Sequence, residues 1–110
     1  MVIDGIADLI GAVNNEQESV ELIEELYLLA GNYKTCIVCV LHLTPSGLKL
    51  RGHLGSELQR KATAVLSIER EKNSPISAVK PMKIRNGSLS DTPQILFRWN
   101  NEVGNAFFYP

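Results

Sequence analysis

The spacing of apolar and polar positions changes several times along the chain, and each change predicts an element. "VIDGIADLI" opens with Val2 and Ile3 and then an acid, Asp4, which predicts a short buried strand ending in a carboxylate. In "NNEQESVELIEELYLLAGN" the apolar residues Leu22, Ile23, Leu26, Leu29 and Ala30 fall at one-face helical spacing, with Glu21, Glu24 and Glu25 on the solvent side. Asn15 followed by Glu18 resembles a capping box, and Gly31-Asn32 supplies a left-handed stop. "KTCIVCVLHL" is continuous and β-branched rather than alternating, which predicts a central parallel strand. Strand, helix and strand in this order make a βαβ unit, whose crossover is right-handed by default.

The second half reads differently. "TPSGLKLRGHLGSELQRKA" predicts a loop containing Pro and Gly, then a short helix around Ser56–Ala62. "TAVLSIERE" is the next strand, broken by "KNSP". "SAVKPMKIR" is a strand whose Pro81 marks it as edge or bulged. "NGSLSDTP" is a turn-rich connector signalled by Asn86-Gly87. "QILFRWN" alternates, and "NAFFYP" closes the chain as a short strand. The expected fold class is α/β: parallel strands with a crossover helix, then a C-terminal β-meander.

Composition narrows the function classes. With 110 residues, 45% of them hydrophobic, residues 1–110 suffice for a single domain with a modest core. The net charge of -1 offers no global basic field for nucleic acid or an anionic membrane, so any such binding must be local. No apolar run approaches the roughly 20 residues that span a bilayer, and no secretory signal is present, so a cytoplasmic protein is expected. Cys36 and Cys39, three apart on a strand, face opposite sides and suit neither a disulfide nor a shared metal. They are expected to be buried thiols of a reducing compartment.

Strand ends of an open parallel sheet place side chains at the ligand crevice. Asp4 and His42 both occupy such ends, where a carboxylate can hold Mg²⁺ through water and an imidazole can hydrogen-bond a phosphate oxygen. The segment Lys49–Gly55, with Lys49, Arg51, Gly52 and His53, is expected to be a cationic loop suited to the phosphates of a nucleic-acid strand, and Arg60 and Lys61 follow on the short helix. No aromatic residues interleave with these cations, so base stacking is not indicated. Arg70 ends "SIER", and Lys83 and Arg85 in "MKIRNG" share one strand face; such cations can reach a γ-phosphate on a neighbouring subunit.

Together these pieces resemble the C-terminal half of a RecA-like hexameric ATPase, of the replicative-helicase, plasmid-replication-helicase or mobilisation-protein kind. "VIDG" resembles a Walker B strand, and "CIVCVLHL" the next core strand ending in a polar phosphate sensor. "LRGHLGSELQRKATAVLSIER" is similar to a segment of phage helicase-primases, and "KIRNGS" to a strand of bacterial replicative helicases. Thr63 stands where the family often has an acid. The resemblance implies ATP and Mg²⁺ as cofactors, with Asp4 as the Mg²⁺-linked acid and His42 as the γ-phosphate sensor. It implies Lys83 and Arg85 as fingers acting in trans, with Arg70 as a competing finger. It further implies single-stranded DNA facing the Lys49–Gly55 loop and a hexameric ring.

Nothing in the 110 residues matches G-x-x-x-x-G-K-[ST]. "GNYKT" has a Lys-Thr pair, but it lacks the glycine spacing and precedes a strand. The expectation is therefore a partial RecA-like core, a fragment of a longer ATPase that does not hydrolyse ATP alone and that self-associates through its uncovered sheet. The alternative is a non-catalytic, degenerate RecA-like adaptor that binds DNA or a protein partner.

Overall fold

The structure, a computed structural model, describes residues 1–12, 14–43 and 52–108. Its contacts divide into two compact units, 1–62 and 63–110. The architecture is mixed α/β, with a two-stranded parallel sheet in the first unit and a four-stranded antiparallel sheet in the second.

In the first unit β1 (Val2–Asp4) pairs in parallel with β2 (Val38–Val40), with Val2 opposite Val38, Ile3 opposite Cys39 and Asp4 opposite Val40. A 3-10 turn over Ile6–Leu9 and helix α1 (Glu16–Asn32) connect them, and α2 (Gly52–Lys61) follows. Ile6, Ile23 and Leu54 form the buried core, and Ile3, Leu22, Leu26, Cys39 and Leu58 pack against it. One face of the strand pair therefore looks inward. The alternate residues Val2, Asp4, Val38 and Val40 are exposed, as the two-residue period of a strand requires.

The start of α1 follows the sequence closely. Asn15 Oδ1 accepts from the Glu18 N–H at 3.0 Å. The reciprocal half of the capping box is absent, because the Glu18 carboxylate accepts instead from the Gly11 N–H, also at 3.0 Å. The end of α1 departs from expectation. Gly31 and Asn32 are still helical, and the left-handed residue is Lys34, at φ 48. Leu29 is exposed rather than part of the buried stripe, along with Leu28 and Tyr33. The reason is length: 17 helical residues run about 25 Å, whereas a three-residue strand runs about 10 Å, so the helix outreaches its sheet.

Two other expectations are corrected in this unit. Of "KTCIVCVLHL" only Val38–Val40 joins the ladder, with Leu43 in an isolated bridge. Cys36 precedes the strand and is exposed, while Cys39 is half-buried; both are free thiols.

The second unit is a meander in the order β3 (Ala64–Arg70), β4 (Ile76–Ile84), β5 (Ile95–Asn100), β6 (Asn105–Phe108). Pro81 is in the interior strand β4, but at a place where no amide is needed. The β4–β5 pairing covers only Ile76–Val79, and the β3–β4 register shifts between Val65 (opposite Lys83) and Leu66 (opposite Pro81), leaving Met82 as the extra residue of a bulge. The connector 85–94 is not a tight hairpin at Asn86-Gly87. It holds a 3-10 turn, Leu89–Asp91, whose cap Ser88 accepts from the Ser90 N–H at 3.2 Å. The β5–β6 connection turns at Gly104, φ +61, and Asn100 Oδ1 accepts from the Glu102 N–H.

Candidate functional site

Asp4 is the last residue of β1, and the chain must leave the sheet directly after it. Gly5 makes that turn in the left-handed region, at φ 75. A Cβ there would lie 2.9 Å from the tip of the exposed Asp8 side chain, which can move aside, so it is the backbone angle that calls for glycine. The Asp8 N–H donates to the Gly5 carbonyl at 2.9 Å, starting the 3-10 turn that delivers Ile6 to the core. The burial of Ile6 thus fixes where β1 ends and where its carboxylate stands.

Val38 and Val40 of β2 are exposed, and so is His42, two residues past the end of that strand. Because β1 and β2 run parallel, and Asp4 is opposite Val40, the carboxylate and the imidazole are brought to the same end of the sheet. Among the described residues, neither side chain makes a hydrogen bond or ion pair. No group of three or more His, Cys, Asp or Glu side chains among the described residues could hold a metal by itself. One exposed carboxylate does suit a magnesium ion that keeps most of its waters.

The described part of the expected DNA loop is helical. Lys49 and Arg51 lie outside the described residues. Gly52 and His53 are not in a loop: they form the first turn of α2, which begins four residues before Ser56. Leu54 draws the chain into the helix by filling the core between Ile6 and Ile23, and Leu58, one turn on, packs beside it. This i, i+4 leucine pair was visible in the sequence and outweighs the glycines flanking it. His53 remains exposed.

Arg60 and Lys61, read as cations for phosphate, are engaged within the helix pair. Arg60 Nη2 donates to Glu57 Oε2 at 2.8 Å, and this hydrogen bond holds the Glu57 carboxyl below its ordinary range. Lys61 Nζ is 3.3 Å from Glu24 of α1 and 4.9 Å from the centre of the Tyr27 ring. Lys61 thus joins α2 to α1, while Arg60 is held by its own helix.

In the second unit the three finger candidates separate. Lys83 is opposite Val65, and the Arg85 N–H donates to the Thr63 carbonyl at 2.9 Å, so both lie where β3 starts. Arg70 ends β3 at the other edge of the hairpin, opposite Ser77. Five residues of strand, roughly 17 Å, divide Arg70 from the level of Lys83. Arg70 and the Lys83–Arg85 pair therefore cannot serve one site on the same sheet end.

An open groove in the first unit is lined by Leu9, Ile10, Leu22, Glu18, Glu21 and Glu25 and does not include Asp4 or His42. No helix among the described residues is long and apolar enough to cross a membrane. Comparison with known proteins gives no match to a family model, to a curated protein or to a solved structure.

Proposed function

We propose that the chain is the C-terminal part of a RecA-like ATPase core acting on DNA, with Asp4 and His42 at its nucleotide end. The observation that carries this reading is their placement beyond two adjacent parallel strands joined through a helix, Asp4 at the end of β1 and His42 two residues past the end of β2. ATP with Mg²⁺ would supply the phosphoryl group. Asp4 would hold the ion through water, and His42 would hydrogen-bond a terminal phosphate oxygen. Lys83 and Arg85, at one end of β3–β4, would act on a neighbouring subunit's nucleotide in a ring; Arg70, at the other end, suits that task less. Gly52 and His53 would serve single-stranded DNA from a helix start rather than from a loop.

The 110 residues carry no G-x-x-x-x-G-K-[ST] motif, so this chain by itself is expected to show no ATP turnover. The test is the coding DNA upstream of the Met1 codon. A frame continuing back through a helix, that motif and a strand supports the ATPase reading. In that longer protein, Asp4→Asn or His42→Ala should then lower kcat by about a hundredfold or more. An in-frame stop codon there overturns it.

A second reading, a non-catalytic adaptor of the same fold, is favoured by the exposed apolar residues Val2, Val38 and Val40 on the outer face of β1–β2. It is the one left standing if the upstream frame is closed.

A further inference from the structure

The meander sorts its side chains by face, and the register shows the result. Ile68 is opposite Val79, and Val79 is opposite Ile95. Leu66 is opposite Pro81, and Phe97 lies between Ser77 and Phe108. Stepping two residues along each strand puts Leu66, Ile68, Val79, Ile95, Phe97, Trp99 and Phe108 on one side of the sheet. The other side is mixed: it carries Ser67, Glu69, Lys80 and Arg98 together with Ile76, Leu96 and Phe107. Among the described residues the charged one on the apolar side is Arg70, at a corner where it can stay hydrated.

That side is open. Leu66 is 56% exposed, Ile68 68%, Ile95 46%, Trp99 60% and Phe108 80%. At about 200 Å² for a fully exposed large apolar or aromatic side chain, these five leave roughly 600 Å² in contact with water. A contiguous patch of this size is at the upper limit for a soluble monomer. Two such faces brought together bury about 1,200 Å², the area at which specific interfaces begin.

We infer that this face of the meander is a homodimer interface, closed by the same face of a second copy in a two-layer sandwich. A second copy fits for three reasons. It presents an equally flat, equally wide apolar sheet, so strands can pack with the layers about 10 Å apart. A two-fold axis matches every residue of the patch with one of the same set. The net charge of -1 gives the copies almost no mutual repulsion to overcome. The inference is independent of the nucleotide reading, since it uses none of the residues assigned to that site except the corner Arg70, whose charge stays at the rim.

The chain carries its own reporter, because Trp99 is its one tryptophan and lies on this face. The experiment is sedimentation equilibrium of the whole chain together with Trp99 emission over a dilution series. The expected result is twice the chain mass, with blue-shifted emission that moves red as the dimer dissociates. Ile68→Glu, and Leu66→Lys as a second variant, should weaken dimerisation at least about tenfold with an unchanged far-ultraviolet circular dichroism spectrum. Val38→Glu, on the β1–β2 sheet, should leave the dimer intact. A monomer at every concentration overturns the inference, whatever the Trp99 emission. So does an oligomer whose Trp99 emission stays red and whose mass is unmoved by Ile68→Glu and Leu66→Lys.

Discussion

The backbone N–H of Thr35 donates to the carbonyl of Ala30 at 3.0 Å, and between them Lys34 is held in the left-handed region at φ 48. With the Lys34 N–H on the Gly31 carbonyl at 3.3 Å, this is a Schellman closure of α1. A residue with a Cβ is strained there. Lys34→Gly is expected to stabilise the first unit by about 1 kcal/mol, read as a shift in the chemical-denaturation midpoint. Gly31→Ala should also be tolerated, since a Cβ at Gly31 meets nothing within 4 Å and its backbone is helical.

Leu54 is fully buried against Ile6 and Ile23 in a core with few members. Leu54→Ala should therefore cost about 2–5 kcal/mol, whereas Leu28→Ala, at an exposed position of α1, should change stability by no more than about 0.5 kcal/mol. Urea denaturation followed by circular dichroism checks both values. A small effect at Leu54 would mean that α2 does not rest on this core.

Glu69 accepts from Lys80 at 2.6 Å across β3 and β4, and from Ser67 at 3.3 Å. The Lys80 hydrogen bond holds the Glu69 carboxyl below its ordinary value. A lowered folded value means that the pair's contribution is present above the ordinary carboxylate range and is lost as pH falls through the folded value. Carboxyl NMR titration should show Glu69 returning toward the ordinary range in Lys80→Met. Because both side chains are well exposed, added salt should narrow the difference.

Cys36 is exposed, whereas burial pushes the Cys39 thiol up. A maleimide in modest excess should label Cys36 first, and Cys36→Ser should remove the fast phase while leaving the slow one. Labelling of both at one rate, followed by mass spectrometry, would show that β2 opens readily.

Much of the layout was legible from local signals. Asn15 and the apolar spacing of Leu22, Ile23 and Leu26 specify where α1 starts and which side it buries. Pro81 in an otherwise strand-like run marks an edge or a bulge, and β4 is an interior strand with a bulge beside Pro81. The order of strands in the second half follows from alternation broken by turn residues. What misled was punctuation read without packing. Gly31-Asn32 offered a stop, yet the helix continues to Asn32 and turns at Lys34. The glycines around His53 suggested a loop, yet burial of Leu54 makes the segment helical.

The candidate site divides in the same way. By itself the sequence determined that Asp4 ends one strand and that His42 follows another, because apolar runs and the residues that end them are local properties. The strand–helix–strand order implied parallel neighbours, but only the tertiary structure set their register, Asp4 opposite Val40, which brings Asp4 and His42 to one sheet end. Only the β3–β4 register placed Arg70 at the opposite end from Lys83 and Arg85. The physical reason is that strand pairing is a contact between distant segments, chosen by which faces can be buried together, and no local pattern records that choice.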